Sequence, residues 1–166
     1  MWWCRAAAIL SIALWLAGCG FQSLYGQSGA RSVDVDLAAI KIDLISDRVG
    51  QQLYNELRDG LNPTGQPTKP LYVLHVKLIE SIEELAIRKD ETATRANLNL
   101  QAKFKLLGAR DGAVLVFGHS RSTTSYNILS SEFATLSALA DAQRRGVRVL
   151  GTDIKTRLGL YFKTAP

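Results

Sequence analysis

Between residues 96 and 106 the chain alternates without a break. Ala96, Leu98, Leu100, Ala102, Phe104 and Leu106 are apolar, and Asn97, Asn99, Gln101, Lys103 and Lys105 between them are polar. Successive side chains of a strand point to opposite faces, so this segment has one buried face and one wetted face. A helix cannot use the pattern, because its 3.6-residue period would scatter the apolar groups around the cylinder. The chain must therefore build a sheet covered on one side, and other segments must supply the cover.

Two segments carry a helical period. Val49, Leu53, Leu57 and Leu61 recur every four residues behind Ser46 or Asp47, either of which can cap a helix, and Asn62-Pro63-Thr64-Gly65 ends it. A longer helix is expected from Ser130 or Ser131 to about Phe162, with Phe133, Leu136, Leu139, Ala140, Val147, Leu150, Ile154, Leu158 and Tyr161 on one arc. At about 1.5 Å per residue it can lie along the whole length of a sheet. Gly146 and Gly151 each cost this helix about 1 kcal/mol relative to Ala. Gly151, at the edge of the arc, is expected to offset its cost by close approach to the sheet; for Gly146 only a kink suggests itself.

The remaining strands flank these helices. Val33, Val35 and Leu37 alternate with Asp34 and Asp36, and Ile40 and Ile42 follow, which predicts a first strand. Residues 71–82 predict a second, with Tyr72, Leu74, Val76, Leu78 and Ile82 on one face. Gly108-Ala109-Arg110-Asp111-Gly112 then forms a hairpin turn between the 96–106 strand and a fourth from Val114 to Tyr126. The helix between the first two strands implies a parallel crossover, and the short later connections imply an antiparallel meander. The expected fold class is α+β: a two-layer sandwich of two helices on one face of a four-stranded mixed sheet, in the order β-α-β-β-β-α, forming a single domain over residues 33–166.

Upstream of that domain lies a different kind of sequence. Arg5 precedes an apolar run from Ala6 to Ala17, interrupted only by Ser11, and Leu16-Ala17-Gly18-Cys19 closes it. The run is shorter than the about 20 residues needed to span a bilayer and has the parts of a secretory signal. Leu three positions before the cut suits a lipoprotein signal peptidase better than an ordinary one. Residues 1–18 are therefore expected to be a lipoprotein signal peptide, Cys19 the lipidated residue, and the Gly/Ser/Gln-rich residues 19–32 a tether. Gly20 stands where Asp would favour inner-membrane retention, so the outer membrane is the expected location. Cys4 departs with the signal and Cys19 is consumed by lipid, which leaves no disulfide; a domain of this size, burying roughly 68–70% of its unfolded surface, can rest on its core. Trp2, Trp3 and Trp15 all lie in the leader as well.

Signals for catalysis are weak. Gly118-His119-Ser120-Arg121-Ser122 opens like a nucleophile elbow, but Ser122 replaces the closing Gly and the segment falls within a strand. His75 and His119 lie on different strands with no neighbouring Cys, which makes a metal site unexpected. Glu83 and Glu84 are adjacent and would face opposite ways. No enzymatic activity and no cofactor beyond the covalent lipid on Cys19 are expected. Basic residues are the better lead. Arg144, Arg148 and Lys155 cluster on one side of the long helix, with Arg145 and Lys163 further round, as a solvated face or as a surface for an anion or acidic partner. Nucleic acid is not expected, because the leader exports the chain and no aromatic platform accompanies the basic stripe. Between the second and third strands, the apolar residues change parity from Ile82 to Leu85 and Ile87, which predicts a bulge or apolar groups exposed near a hairpin tip. Arg88 and Lys89 follow at once, so cations stand beside apolar groups, a pairing suited to an amphiphile carrying phosphates and acyl chains.

Leu16-Ala17-Gly18-Cys19-Gly20-Phe21-Gln22-Ser23-Leu24-Tyr25-Gly26, together with this order of elements, resembles the lipopolysaccharide-assembly lipoprotein LptE family across nearly the whole chain. Leu53 through Leu61, Phe133-Ala134-Thr135, Asp141-Ala142 and Ile154-Lys155-Thr156-Arg157-Leu158 add to the likeness. The resemblance implies a non-enzymatic partner of the outer-membrane β-barrel LptD, which plugs the barrel, assists its assembly and binds lipopolysaccharide. It also implies that Arg88, with Lys89 beside it, contacts lipopolysaccharide. The chain departs from the family at Ser23, where relatives often have Pro. It also lacks a longer basic loop between Asn127 and Ser131, so no second lipopolysaccharide-contacting Lys is carried over, and an extended polar tail beyond Phe162. An alternative assignment is a lipoprotein serving another envelope lipid-transport complex, such as an auxiliary component of an ABC system.

Overall fold

The computed structural model describes residues 33–87 and 93–164. The elements are α1 (Val33–Ala38), β1 (Ile40–Ile42), α2 (Arg48–Leu61), β2 (Tyr72–Ile87), β3 (Ala93–Gly108), β4 (Val114–Asn127) and α3 (Glu132–Thr164). The four strands form one sheet in chain order. β1 runs parallel to β2, with Ile40 opposite Tyr72 and Ile42 opposite Leu74, whereas β2, β3 and β4 are antiparallel neighbours. The expected α+β two-layer sandwich is the observed one, with the helices on one face of a mixed sheet.

The alternating segment places its apolar residues as expected: Ala96, Leu98, Leu100, Ala102, Phe104 and Leu106 are all buried beneath the helices. Leu74 from β2 and Ile40 and Ile42 from β1 continue the same layer, and Val49, Leu53, Leu57 and Leu61 of α2 close over it together with Val147, Leu150, Ile154 and Leu158 of α3. α3 packs mainly across β4 and β3 and against α2. At its far end Phe162 packs at a tilt against Tyr72, ring centroids 5.0 Å apart, so the helix runs from the end of β4 to the beginning of β2.

The first predicted strand is a correction. Residues 33–38 form α1, and only Ile40–Ile42 is extended. Val33 and Leu37 are four apart, a spacing that also serves one helix face, and the interior takes the adjacent pair Asp36 and Leu37 while Val35 is exposed. Adjacent buried residues cannot lie on one face of a strand, but they can on a helix. Asp34 and Asp36 in the first turn also suit the positive end of the helix dipole. The sandwich thus carries a third, short helix.

Further differences are local. Asp47 is the residue before α2, but its side chain makes no cap hydrogen bond. Ser131 does cap α3, accepting from the Ala134 N–H at 3.4 Å. The glycines exchange roles: a Cβ at Gly146 would stand 2.8 Å from Leu100 Cδ1, so this glycine lets α3 approach the sheet, whereas a Cβ at Gly151 would meet Glu56 Cγ of α2 at 2.6 Å. Phe133 and Leu136 belong to the apolar arc yet are 80% and 57% exposed, because α3 begins beyond the reach of α2.

Candidate functional site

β1 covers only the first three residues of β2, so the edge of β2 is free of β1 from His75 onward. The outer edge of β1 itself is closed by a side chain. Gln66 Oε1 accepts from the Ile42 N–H and Gln66 Nε2 donates to the Ile42 carbonyl, both at 3.3 Å, in place of a fifth strand. The same Nε2 donates to the Tyr54 hydroxyl at 2.9 Å, tying the surrogate strand to α2.

Because β2 and β3 continue well past β1, their hairpin end projects beyond the two-helix layer. On the helix side of that end, β2 presents Glu80, Ile82 and Glu84, register partners of Leu100, Leu98 and Ala96. Gln143 of α3 is buried there and donates from Nε2 to Glu80 Oε1 at 2.8 Å, while Arg48 at the start of α2 donates to Gln143 Oε1 at 3.1 Å. This relay marks where the two helices stop closing over β2. Beyond it Ile82 and Leu85 are about half exposed, and Phe133 and Leu136 of α3 are exposed at the same end of the sheet. Burial pushes the Tyr126 phenol above its ordinary value, and the nearby carboxylates Glu84 and then Glu80 push it further.

The parity change between Ile82 and Leu85 takes both expected forms. The β2–β3 register slips between Glu84 and Ala86, where Leu85 is the extra residue, and Leu85 is left exposed. Its companions Phe133 and Leu136 fall on the apolar arc that the sequence assigns to the core, because periodicity records a shared face and says nothing of where the opposite layer ends.

Cys19, Arg88 and Lys89 lie outside the described residues. Of the α3 cations, Arg144 and Arg148 are exposed, and Arg144 pairs with Asp141 at 3.2 Å. Arg145 pairs with Asp141 as well and donates to the Ser125 carbonyl at 3.4 Å. Lys155 is half-buried beside Gly60 of α2, so the three residues do not present one uniform basic surface. Ser120 is 2% exposed on the helix side of β4, whereas His119 lies exposed on the opposite face, so the two cannot act as a nucleophile and base. Among the described residues no cluster of three or more His, Cys, Asp or Glu side chains could hold a metal ion. No helix among them is long and apolar enough to cross a membrane.

No family model matches the chain. The uncharacterized protein RP188 of Rickettsia prowazekii (strain Madrid E) is 26% identical over 152 residues, covering 89% of this chain and 90% of that protein. A candidate lipoprotein from Caulobacter crescentus CB15 superposes with a TM-score of 0.66 at 23% identity, over 80% of this chain and 96% of its own. The rare lipoprotein B from Shewanella oneidensis gives a TM-score of 0.50 at 11% identity, over 73% and 97%. This chain has the fold of these bacterial lipoproteins. The shared part of the fold takes in nearly all of each of them, so what distinguishes one from another lies in the loops and faces of a common sandwich.

Proposed function

We propose that the chain is a lipid-anchored envelope protein of the outer membrane that partners a β-barrel of the LptD kind and takes part in moving lipopolysaccharide to the outer leaflet. The observation that carries the reading is Cys19-Gly20-Phe21 with Leu24-Tyr25-Gly26 directly after an apolar leader, on a chain whose fold is that of rare lipoprotein B. In this proposal Cys19 carries the acyl chains, and two or three of them make attachment effectively permanent where one would be marginal. The hairpin end of β2 and β3 is the working end. Ile82, Leu85, Phe133 and Leu136 offer apolar contact to acyl chains or to the barrel, and Arg88 and Lys89, next in sequence after Ile87, offer charge-assisted hydrogen bonds to lipid phosphates.

Affinity purification of the acylated protein from outer membranes tests the partner. Recovery with an outer-membrane barrel is the expected result, and recovery only with an inner-membrane ATPase complex would overturn it. For the ligand site, Arg88→Glu is expected to weaken lipopolysaccharide binding in a direct titration while leaving barrel association intact. Unchanged binding removes that assignment. Cys19→Ala is expected to abolish palmitate labelling without unfolding the domain, and continued labelling would refute the anchor.

A further inference from the structure

The face of the sheet turned away from the helices is divided into two halves of different chemistry. The register places its side chains in cross-strand rows. Towards the hairpin tip the rows carry no cation over two registers: Ser81, Asn99 and Thr123 form one, with Thr123 donating to Asn99 at 2.8 Å, and Glu83, Asn97 and Ser125 the next, with Ser125 donating to Asn97 at 2.6 Å. Towards the β1 end the rows are basic. Lys77, Lys103 and His119 form one row, His75, Lys105 and Phe117 the next, and Lys41 lies on the same face of β1; Arg121 stands one row nearer the tip, beside Gln101.

Three observations mark this half as more than a solvated surface. Lys77 and Lys103 are direct register partners, with His119 on the far side of Lys103. Such neighbours stand about 5 Å apart, and like charges so placed repel. Protection of a sheet edge explains a Lys on the exposed strand β2, but not Lys103 and Lys105 on β3, which has strands on both sides. Lys41, Lys77, Lys103, Lys105 and Arg121 are all exposed and form no salt bridge among the described residues. Asp43, just past β1, is engaged by His75 at 2.7 Å. Of the four arginines of α3, by contrast, Arg144, Arg145 and Arg157 have Asp partners among the described residues and Arg148 does not. Within the basic rows Phe117 is 76% exposed, an aromatic ring on a cationic plane. Beside them lies a shallow hollow of about 240 Å³ bordered by Ile79, Ser81, Asn99, Gln101, Arg121 and Thr123.

We infer that this half of the sheet is a docking surface for an anionic phospholipid bilayer. The cations meet headgroup phosphates, which removes the repulsion between Lys77 and Lys103; Phe117 enters the interfacial layer, and the hollow beside Arg121 receives a headgroup. The position of the anchor favours a bilayer over an acidic protein, a step that rests on the lipid anchor proposed above. α1 has six residues, about 9 Å of helix, packs on α2 and α3 and joins β1 through Ala39 alone, so the tether enters at the β1 end of the sheet, the end that carries the basic rows on its other face. Fourteen residues, the length of 19–32, reach at most about 50 Å, which bounds the distance of this end of the domain from the anchor.

The leader holds every Trp, so a single introduced Trp reports on the processed chain without background. Acylated Phe117→Trp protein is reconstituted into vesicles of phosphatidylcholine, alone or with one-third phosphatidylglycerol, and its emission and quenching by brominated lipid are measured. The expected result is a blue shift and quenching only in the phosphatidylglycerol vesicles, reversed by high salt. A Val149→Trp chain, whose reporter is exposed on the helix layer, is expected to show neither. Each cation near an anionic surface strengthens docking by roughly fivefold, so adding Lys77→Gln and Lys103→Gln should weaken it by roughly 25-fold. Equal signals in the two lipids, equal signals in the Gln variant, or a matching shift at position 149 would each overturn the proposal. So would loss of barrel recovery in the Gln variant with vesicle docking unchanged, which would make the face a protein interface. If the anchor is wrong, the protein fails to float with neutral vesicles. The phosphatidylglycerol-dependent emission still reads the docking surface in that case.

Discussion

The two glycines of α3 should respond in opposite ways to the same substitution. In an unhindered helix interior, Gly→Ala gains about 1 kcal/mol. At Gly146 the new methyl would lie 2.8 Å from Leu100 Cδ1, with Ser122 Oγ and Thr124 Oγ1 each at 3.5 Å. Leu100 is 1% exposed and lies within the core cluster, so it can yield only by displacing its neighbours. Overpacking of that kind costs about 1–3 kcal/mol, which exceeds the propensity gain over most of its range. Gly146→Ala should therefore destabilise the domain by about 1 kcal/mol, and Gly146→Val by more. At Gly151 the obstacle is Glu56 Cγ at 2.6 Å, part of a flexible, partly exposed side chain that can swing towards solvent. Gly151→Ala should be neutral or stabilising by up to about 1 kcal/mol. Urea denaturation of the unacylated domain, followed by far-ultraviolet circular dichroism, measures both. A 1 kcal/mol change moves the thermal midpoint by about 4 °C in a domain of this size. If Gly146→Ala stabilises as much as Gly151→Ala, the close approach of α3 to β3 is not what fixes the helix against the sheet.

Gln66→Ala should cost about 1–3 kcal/mol in the same assay, because it leaves the Ile42 N–H and carbonyl without the side chain that stands in for a strand, and an unchanged midpoint would refute that role. Gln143→Ala should destabilise by about 1 kcal/mol and show coupling to Glu80→Gln in a double-mutant cycle; strictly additive effects would dissolve the relay. Tyr126 predicts a pH dependence. Its phenol titrates higher in the folded state than the ordinary 10.0, so its favourable contribution is complete below that pH and is lost as pH rises through the folded value. Tyr126→Phe should flatten that alkaline loss, and an identical decline in both proteins would refute the shift.

The alternation from Ala96 to Leu106 was enough to require a sheet covered on one side, and the four-residue repeat of α2 and the long arc of α3 identified the cover. Those patterns are legible because burial is periodic wherever one face packs on another layer. Cys19 and its neighbours through Gly26 are equally legible, since signal processing acts on the linear chain. Residues 33–38 were not, because two apolar residues four apart satisfy a strand and a helix alike, and the burial of Asp36 beside Leu37 decides between them. Nor could periodicity tell Gly146 from Gly151, which differ only in whether the sheet or α2 lies beneath them. The exposure of Phe133 and Leu136 likewise depends on where the cover of α2 begins, at Arg48 beside Gln143. Lys77, Lys103 and His119 are scattered over three strands, and they become one row only through the register. Local pattern thus determined which face of each element is buried; the tertiary structure decided what lies opposite it, because lateral neighbours and the ends of layers are set by long-range pairing.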